Sequence, residues 1–221
     1  MILKEHKFIN IHTHNPNSCA DNISILNYAP NISFPDKAYF SYGIHPWDIE
    51  NHNIETINFD RYVSPNNCIA IGETGIDKTI STKLYKQVMV FEKHISISEK
   101  YKKPLIIHCV KAHSEILELH KIYKPTQAWI LHAYANSIQM TRNLVDKGLY
   151  FSMGMRELSR SKGKKDFIHS IPLSKLFFET DNSKQSIQEV YIEASKKLNT
   201  AIDQLIEITT INFHHCFNFS I

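Results

Sequence analysis

The chain has 221 residues, of which 43% are hydrophobic and 21% charged, with a formal net charge of +3. Such a composition suits one domain over residues 1–221 with a substantial core, and it excludes global disorder. So small a charge is no polyanion-binding signature by itself, and no apolar run approaches the ~18 residues of a membrane span.

The start, MILKEHKF, lacks a signal-peptide h-region, so a cytoplasmic chain is expected, and a monomer. The first apolar run, Phe8–Ile11, reads as a strand and breaks into His12-Thr13-His14. Asn15–Lys37 has weak periodicity and carries Pro16, Pro30 and Pro35; it reads as loop, with a short helix over Ile23–Tyr28. Further strands are expected at Ala38–Ile44, Cys68–Gly72, Leu105–Cys109, Ala128–Leu131, Leu149–Ser152 and Leu176–Glu179. These are mostly continuous and β-branched or aromatic, as in parallel strands covered on both faces. Helical patterns alternate with them: Leu84–Tyr101, stopped by Pro104; Ser114–Tyr123; Ile138–Lys147, capped by Ser137 and followed by Gly148; and Ser186 to about Leu198. Thr200 with Asp203 resembles a capping box that opens a last helix. Strand–helix alternation argues for an α/β architecture, a compact (β/α)8 barrel whose eighth strand is short and near Ser183–Gln185.

The chemistry-bearing residues fall at strand ends. His12 and His14 follow the first strand, His45 the second ("SYGIHPW"), Glu73 the third ("IAIGETGID"), His108 the fourth ("PLIIHCV"), His132 the fifth ("WILHAY") and Asp181 the seventh ("LFFETD"). In a parallel barrel all these ends open on one face, so distant residues converge. Each alone is weak: with 13 histidines, about one H-x-H pair is expected by chance, and His108 or His132 could be a satisfied core histidine. Glu73 says more, because a carboxylate closing an apolar run is costly unless paired or metal-bound. Asp181 makes the same point, or caps the segment that follows.

Jointly the set is four histidines and two carboxylates. Imidazole-rich sites suit zinc, manganese, cobalt or nickel better than magnesium. Six ligands exceed what one catalytic zinc uses, so two divalent ions with a bridging carboxylate are expected. Their charge would favour a bound hydroxide and an anionic substrate, as in phosphoester hydrolysis. Other chemistries fit worse: there is no Walker loop, no G-x-G-x-x-G after a strand and no G-x-S-x-G elbow. The four cysteines, Cys19, Cys68, Cys109 and Cys216, form no C-x-x-C pair; Cys68 and Cys109 read as reduced core thiols.

In order, "INIHTH", "GIHP", "GETGID", Gln87 and Phe91, "PLIIHC", "ILHAY", "GLYFSMG" and "FFETD" resemble the TatD family of metal-dependent hydrolases, in the amidohydrolase superfamily, over essentially the whole chain. The resemblance implies a (β/α)8-type barrel, one or two divalent cations and hydrolysis of DNA phosphodiesters. Carried over by motif, His12, His14, Glu73 and Asp181 would hold one ion, and Glu73, His108 and His132 the second. His45 would face the substrate phosphate, and Asp181 would also act as the base for the attacking water, making Asp181 and Glu73 the catalytic pair. Several positions depart from the family. Asn10 replaces a frequent Asp, Lys111 stands where arginine is common, Ala133-Tyr134-Ala135-Asn136 replaces the usual turn, and Asn-Ser-Lys follows Asp181. These departures bear on substrate choice more than on metal binding.

The leading expectation is therefore a DNase acting on single strands or ends. Lys111, Arg156, Arg160, Lys162, Lys164 and Lys165 are candidate phosphate contacts, although the last four read better as a solvated charged loop. Alternatives are a binuclear hydrolase of another ester or amide, and a non-enzymatic metal-binding scaffold. Trp47 and Trp129 are open to a core or a rim reading.

Overall fold

A computed structural model of the protein describes residues 7–16, 22–28, 38–54, 56–163 and 166–217. Eight strands run through it: β1 Ile9–Thr13, β2 Ile23–Tyr28, β3 Tyr39–Tyr42, β4 Cys68–Asp77, β5 Leu105–Val110, β6 Trp129–Leu131, β7 Tyr150–Met153 and β8 Leu176–Phe178. They pair in sequence order as one parallel sheet. Parallel neighbours need crossovers. Helices α1 Phe59–Val63, α2 Leu84–Tyr101, α3 His113–Tyr123, α4 Ile138–Asp146 and α5 Met155–Arg160 lie between later strands. Helices α6 Ile187–Leu198 and α7 Ile202–Phe217 follow β8.

The sheet closes on itself where β1 meets the chain just beyond β8. The Asp181 N–H donates to the His12 carbonyl at 3.0 Å, and the His14 N–H donates to the Asp181 carbonyl at 3.1 Å. Asn10 strengthens this seam. Its Nδ2 donates to Thr180 Oγ1 at 2.8 Å, and its Oδ1 accepts the Thr180 N–H at 3.0 Å. The result is a nearly closed (β/α)8 barrel, as the strand–helix alternation implied.

Two expectations about the strands are corrected. Ile23–Tyr28 is a strand, not a short helix: Ile23, Ile25, Leu26 and Tyr28 are all buried, and six residues are too few for a helix covered on every side. This is the missing strand, so Ser183–Gln185 need not supply one; it forms a turn in which the Gln185 N–H donates to Ser183 Oγ at 3.1 Å. The Thr200 hydroxyl donates to the Leu198 carbonyl rather than capping α7.

Buried side chains form two clusters. One lies between sheet and helices and includes Phe40, Ile71, Phe91, Leu105 and Trp129. The other joins Ile9, Ile25, Ile106 and Phe177 to Phe213 and Phe217 of α7. Cys68 and Cys216 are buried and free, and Cys109 is half-buried and free. No helix among the described residues is long and apolar enough to cross a membrane. Lys164 and Lys165 lie outside the described residues.

Candidate metal centre

Glu73 organises the site. The register of β4 on β5 slips between Ile71 and Thr74, so Gly72 and Glu73 bulge out of the ladder. Gly72 makes this possible: at φ +146 a Cβ would stand 2.5 Å from the Ile106 carbonyl oxygen. The Glu73 N–H is held by Asn27 Oδ1 of β2 at 3.0 Å. Glu73 is therefore inside a ten-residue strand rather than at its end, and only 4% exposed.

Its two oxygens face different groups. Oε2 lies 3.2 Å from His12 Nε2 and 3.5 Å from His14 Nε2, and Asp181 Oδ1 is 3.7 and 3.4 Å from the same two nitrogens. Oε1 lies 2.8 Å from His108 Nδ1, 2.7 Å from His132 Nε2 and 3.1 Å from His45 Nε2. All six residues expected to ligate a metal, and His45, are thus brought together. Three subsets have ligand atoms mutually within 4.8 Å: His12, Glu73 and His132; His12, His14 and Asp181; and His45, Glu73 and His108.

The electrostatics of this core are strongly coupled. Burial would raise the Glu73 carboxyl, but His132, His108 and His12 around it hold it well below the usual carboxylate range. Burial would lower His132, yet Glu73 and Glu179 push it well above an ordinary imidazole. His14 moves the same way: burial opposes, while Glu73 and Asp181 prevail and raise it.

The outer hydrogen bonds decide which ring atoms face inward. Asp77 Oδ2 is hydrogen-bonded to His108 Nε2 at 3.4 Å, whereas Glu179 Oε1 lies 3.5 Å from His132 Nδ1 as a charge neighbour, without a hydrogen bond. These carboxylates favour protons on the outer nitrogens, so that a cation displacing the inner protons would meet lone pairs beside Glu73 Oε1. His12 is buried with neither ring nitrogen hydrogen-bonded among the described residues. Positive charge is favoured at these inner nitrogens, and a divalent cation that displaced their protons would meet the same carboxylate and imidazole donors, so the donor set fits a metal ion. His45 differs. Its Nδ1 accepts the Trp47 N–H at 3.2 Å, so a neutral ring carries its proton on Nε2, pointing inward. It offers the centre a hydrogen bond rather than a lone pair.

Asp77, Glu179 and Asn27 were not singled out from sequence. Asp77 stands in the quoted "GETGID", but at the end of a strand expected to stop at Gly72. There Gln87 braces it: Gln87 Oε1 accepts the Asp77 N–H at 2.8 Å and its Nε2 donates to the Asp77 carbonyl at 3.0 Å. Glu179 is fully buried, accepting from Ser152 Oγ and from the Ala133 N–H. The cost argument applied to Glu73 would have found it. Asn27 was hidden inside the segment read as a helix.

A cavity of about 1010 Å³ opens over the cluster. Lys111, exposed and at φ +54, lines it together with Arg156 and Arg160. Of the departures, Ala133, Tyr134, Ala135 and Asn136 all line it, although most of the Tyr134 ring is buried against Phe151 with its hydroxyl on Thr141 Oγ1. Asn10 is spent on the barrel seam. Trp129 is core; Trp47 is on the rim, 64% exposed.

The model of the TatD related DNase family matches residues 4–218. The chain belongs to this family. Among curated relatives, it is 27% identical over 200 residues to the uncharacterized metal-dependent hydrolase YcfH of Escherichia coli K12, covering 83% of this chain and 75% of that one. It is 29% identical over 205 residues to the uncharacterized metal-dependent hydrolase BU355 of Buchnera aphidicola from Acyrthosiphon pisum, covering 81% and 77%. Solved TatD structures share the fold. The crystal structure of the TatD homologue YjjV from Escherichia coli K12 superposes with a TM-score of 0.82 at 19% identity, covering 96% of this chain and 98% of that one. A TatD-family hydrolase from Entamoeba histolytica gives 0.71 at 12% identity, with the same coverage.

Proposed function

We propose that this TatD-family metal-dependent hydrolase cleaves phosphodiester bonds in DNA, acting on single strands or strand ends. One observation carries the reading: a single buried carboxylate, Glu73, turns one oxygen to His12 and His14 and the other to His108 and His132. That division suits two divalent cations (zinc, manganese, cobalt, nickel or magnesium), with Glu73 between them. His12, His14 and Asp181 would complete one position, and His108 and His132 the other.

Bound there, divalent ions would lower the pKa of a water from ~15.7 towards ~7 and offset charge on the phosphoryl oxygens. The protein groups do the rest. Asp181, part-exposed in the cavity lining, would orient the attacking water and take its proton. His45 donates from Nε2 to a phosphate oxygen. Lys111 at the rim attracts the flanking backbone, with Arg156 and Arg160 beside it.

The test pairs wild type with Glu73→Ala, both stripped and then reloaded with each metal, against single-stranded DNA labelled at either end. Metal-dependent cleavage by wild type alone supports the reading and shows the polarity. No cleavage with any metal, while wild type still binds two ions, moves the search to small esters and amides.

A further inference from the structure

We propose that Trp47 is a stacking platform for the nucleobase adjoining the phosphate held at His45. The proposal rests on the phosphodiesterase reading above and sharpens its substrate to a strand with an unpaired base beside the cleaved bond.

Trp47 is 64% exposed. Of the large hydrophobic side chains exposed among the described residues, it alone lines the cavity over Glu73; the others lie on α2, α3, α6 and α7. Its position is fixed from several sides. It follows Pro46 in a 3₁₀ turn, Pro46–Asn51, where the proline ring restricts the backbone. Indole Nε1 donates to Asp77 Oδ2 at 2.9 Å, and Asp77 is itself held through Oδ1 by the Thr79 N–H at 2.8 Å. The ring meets His45 edge-on, with centroids 5.0 Å apart, and stands 6.2 Å from His108.

An exposed indole tethered by its only polar atom has lost its rotamer freedom before any ligand arrives. Packing against it then costs little further entropy. The same cavity carries Lys111, Arg156 and Arg160. An aromatic ring beside a basic track is how proteins hold single strands without reading sequence, because every base has a π-face. Asp77 touches both Trp47 and His108, so the platform is registered against the metal-facing imidazole.

The experiment compares two single-stranded thymidine oligomers, identical except that one lacks the base at the cleaved end. Metal-loaded wild type, Trp47→Phe and Trp47→Ala are assayed on both, and quenching of tryptophan fluorescence is followed in wild type and Trp47→Phe. The expected result is a kcat/KM preference for the base-bearing oligomer on the order of tenfold in wild type, largely kept by Phe and reduced to near one by Ala. Base-dependent quenching is expected in wild type and lost in Trp47→Phe. Because Phe cannot bond Asp77, its rescue separates stacking from mere support of Asp77. A preference unchanged in Trp47→Ala, or equal losses on both oligomers, overturns the proposal. If wild type cleaves neither oligomer, the phosphodiesterase reading fails; base-dependent quenching would still uphold stacking, and its absence would sink that too.

Discussion

His94 offers a test of how α2 supports the site. It is fully buried; Nδ1 bonds the Val90 carbonyl at 2.7 Å, and Nε2 accepts the N–H of Ile44, the residue before His45, at 3.0 Å. Both ring nitrogens are engaged by a neutral ring, and burial lowers its pKa from 6.5 to about 4. In the unfolded chain the ring takes up its proton near pH 6.5, so between pH 6.5 and 4 the unfolded state binds more protons. Stability therefore falls as the pH falls. The loss amounts to about 2 kcal/mol between pH 7 and pH 5 and about 3 kcal/mol by pH 4. His113, also lowered to about 4, adds its own loss, so the informative quantity is a difference between proteins. Urea unfolding of wild type and His94→Gln, both with chelator, is measured from pH 7 to 5. The variant is expected to start less stable, with Ile44 less well held, but to lose about 2 kcal/mol less across that range. Parallel curves would refute the assignment of a buried neutral imidazole.

Other substitutions test the remaining links. Asp181→Asn should lower kcat on the order of 10²–10⁴-fold, if Asp181 takes the proton; retained kcat in steady-state assays would remove it from that role. Gly75 sits at φ +149, where a Cβ would stand 2.0 Å from the His108 carbonyl oxygen, so Gly75→Ala should destabilise by more than about 3 kcal/mol in urea titrations. Asn10→Asp puts an uncompensated charge at the seam and removes the donor to Thr180 Oγ1; thermal unfolding should report a loss of about 1–3 kcal/mol.

The site was more legible than the scaffold beneath it. His12, His14, His108, His132 and Asp181 each follow an apolar run, and a parallel barrel gathers such ends whatever the details of pairing. Ile23–Tyr28 was not legible, because a six-residue apolar run has no period long enough to separate strand from helix, and surrounding prolines favoured loop. Glu73 is buried, as its place after an apolar run implied, but lies within a strand rather than at its end; the Gly72 bulge that turns it inward depends on close approach of β5, a tertiary fact. Asp77 was not legible, because which carboxylate stands behind which ring is a tertiary fact, whereas Glu179, closing the buried run Leu176–Phe178, was open to the same cost argument as Glu73.

The seam between β1 and Asp181 has a consequence for when this protein becomes able to react. The same few residues lock the ring of strands and complete the His12–His14–Asp181 group, so the chain's early and late portions must dock before either is useful. A chain in which β1 and Asp181 have not paired lacks the His12–His14–Asp181 group, so closure of the barrel and completion of that group are one event.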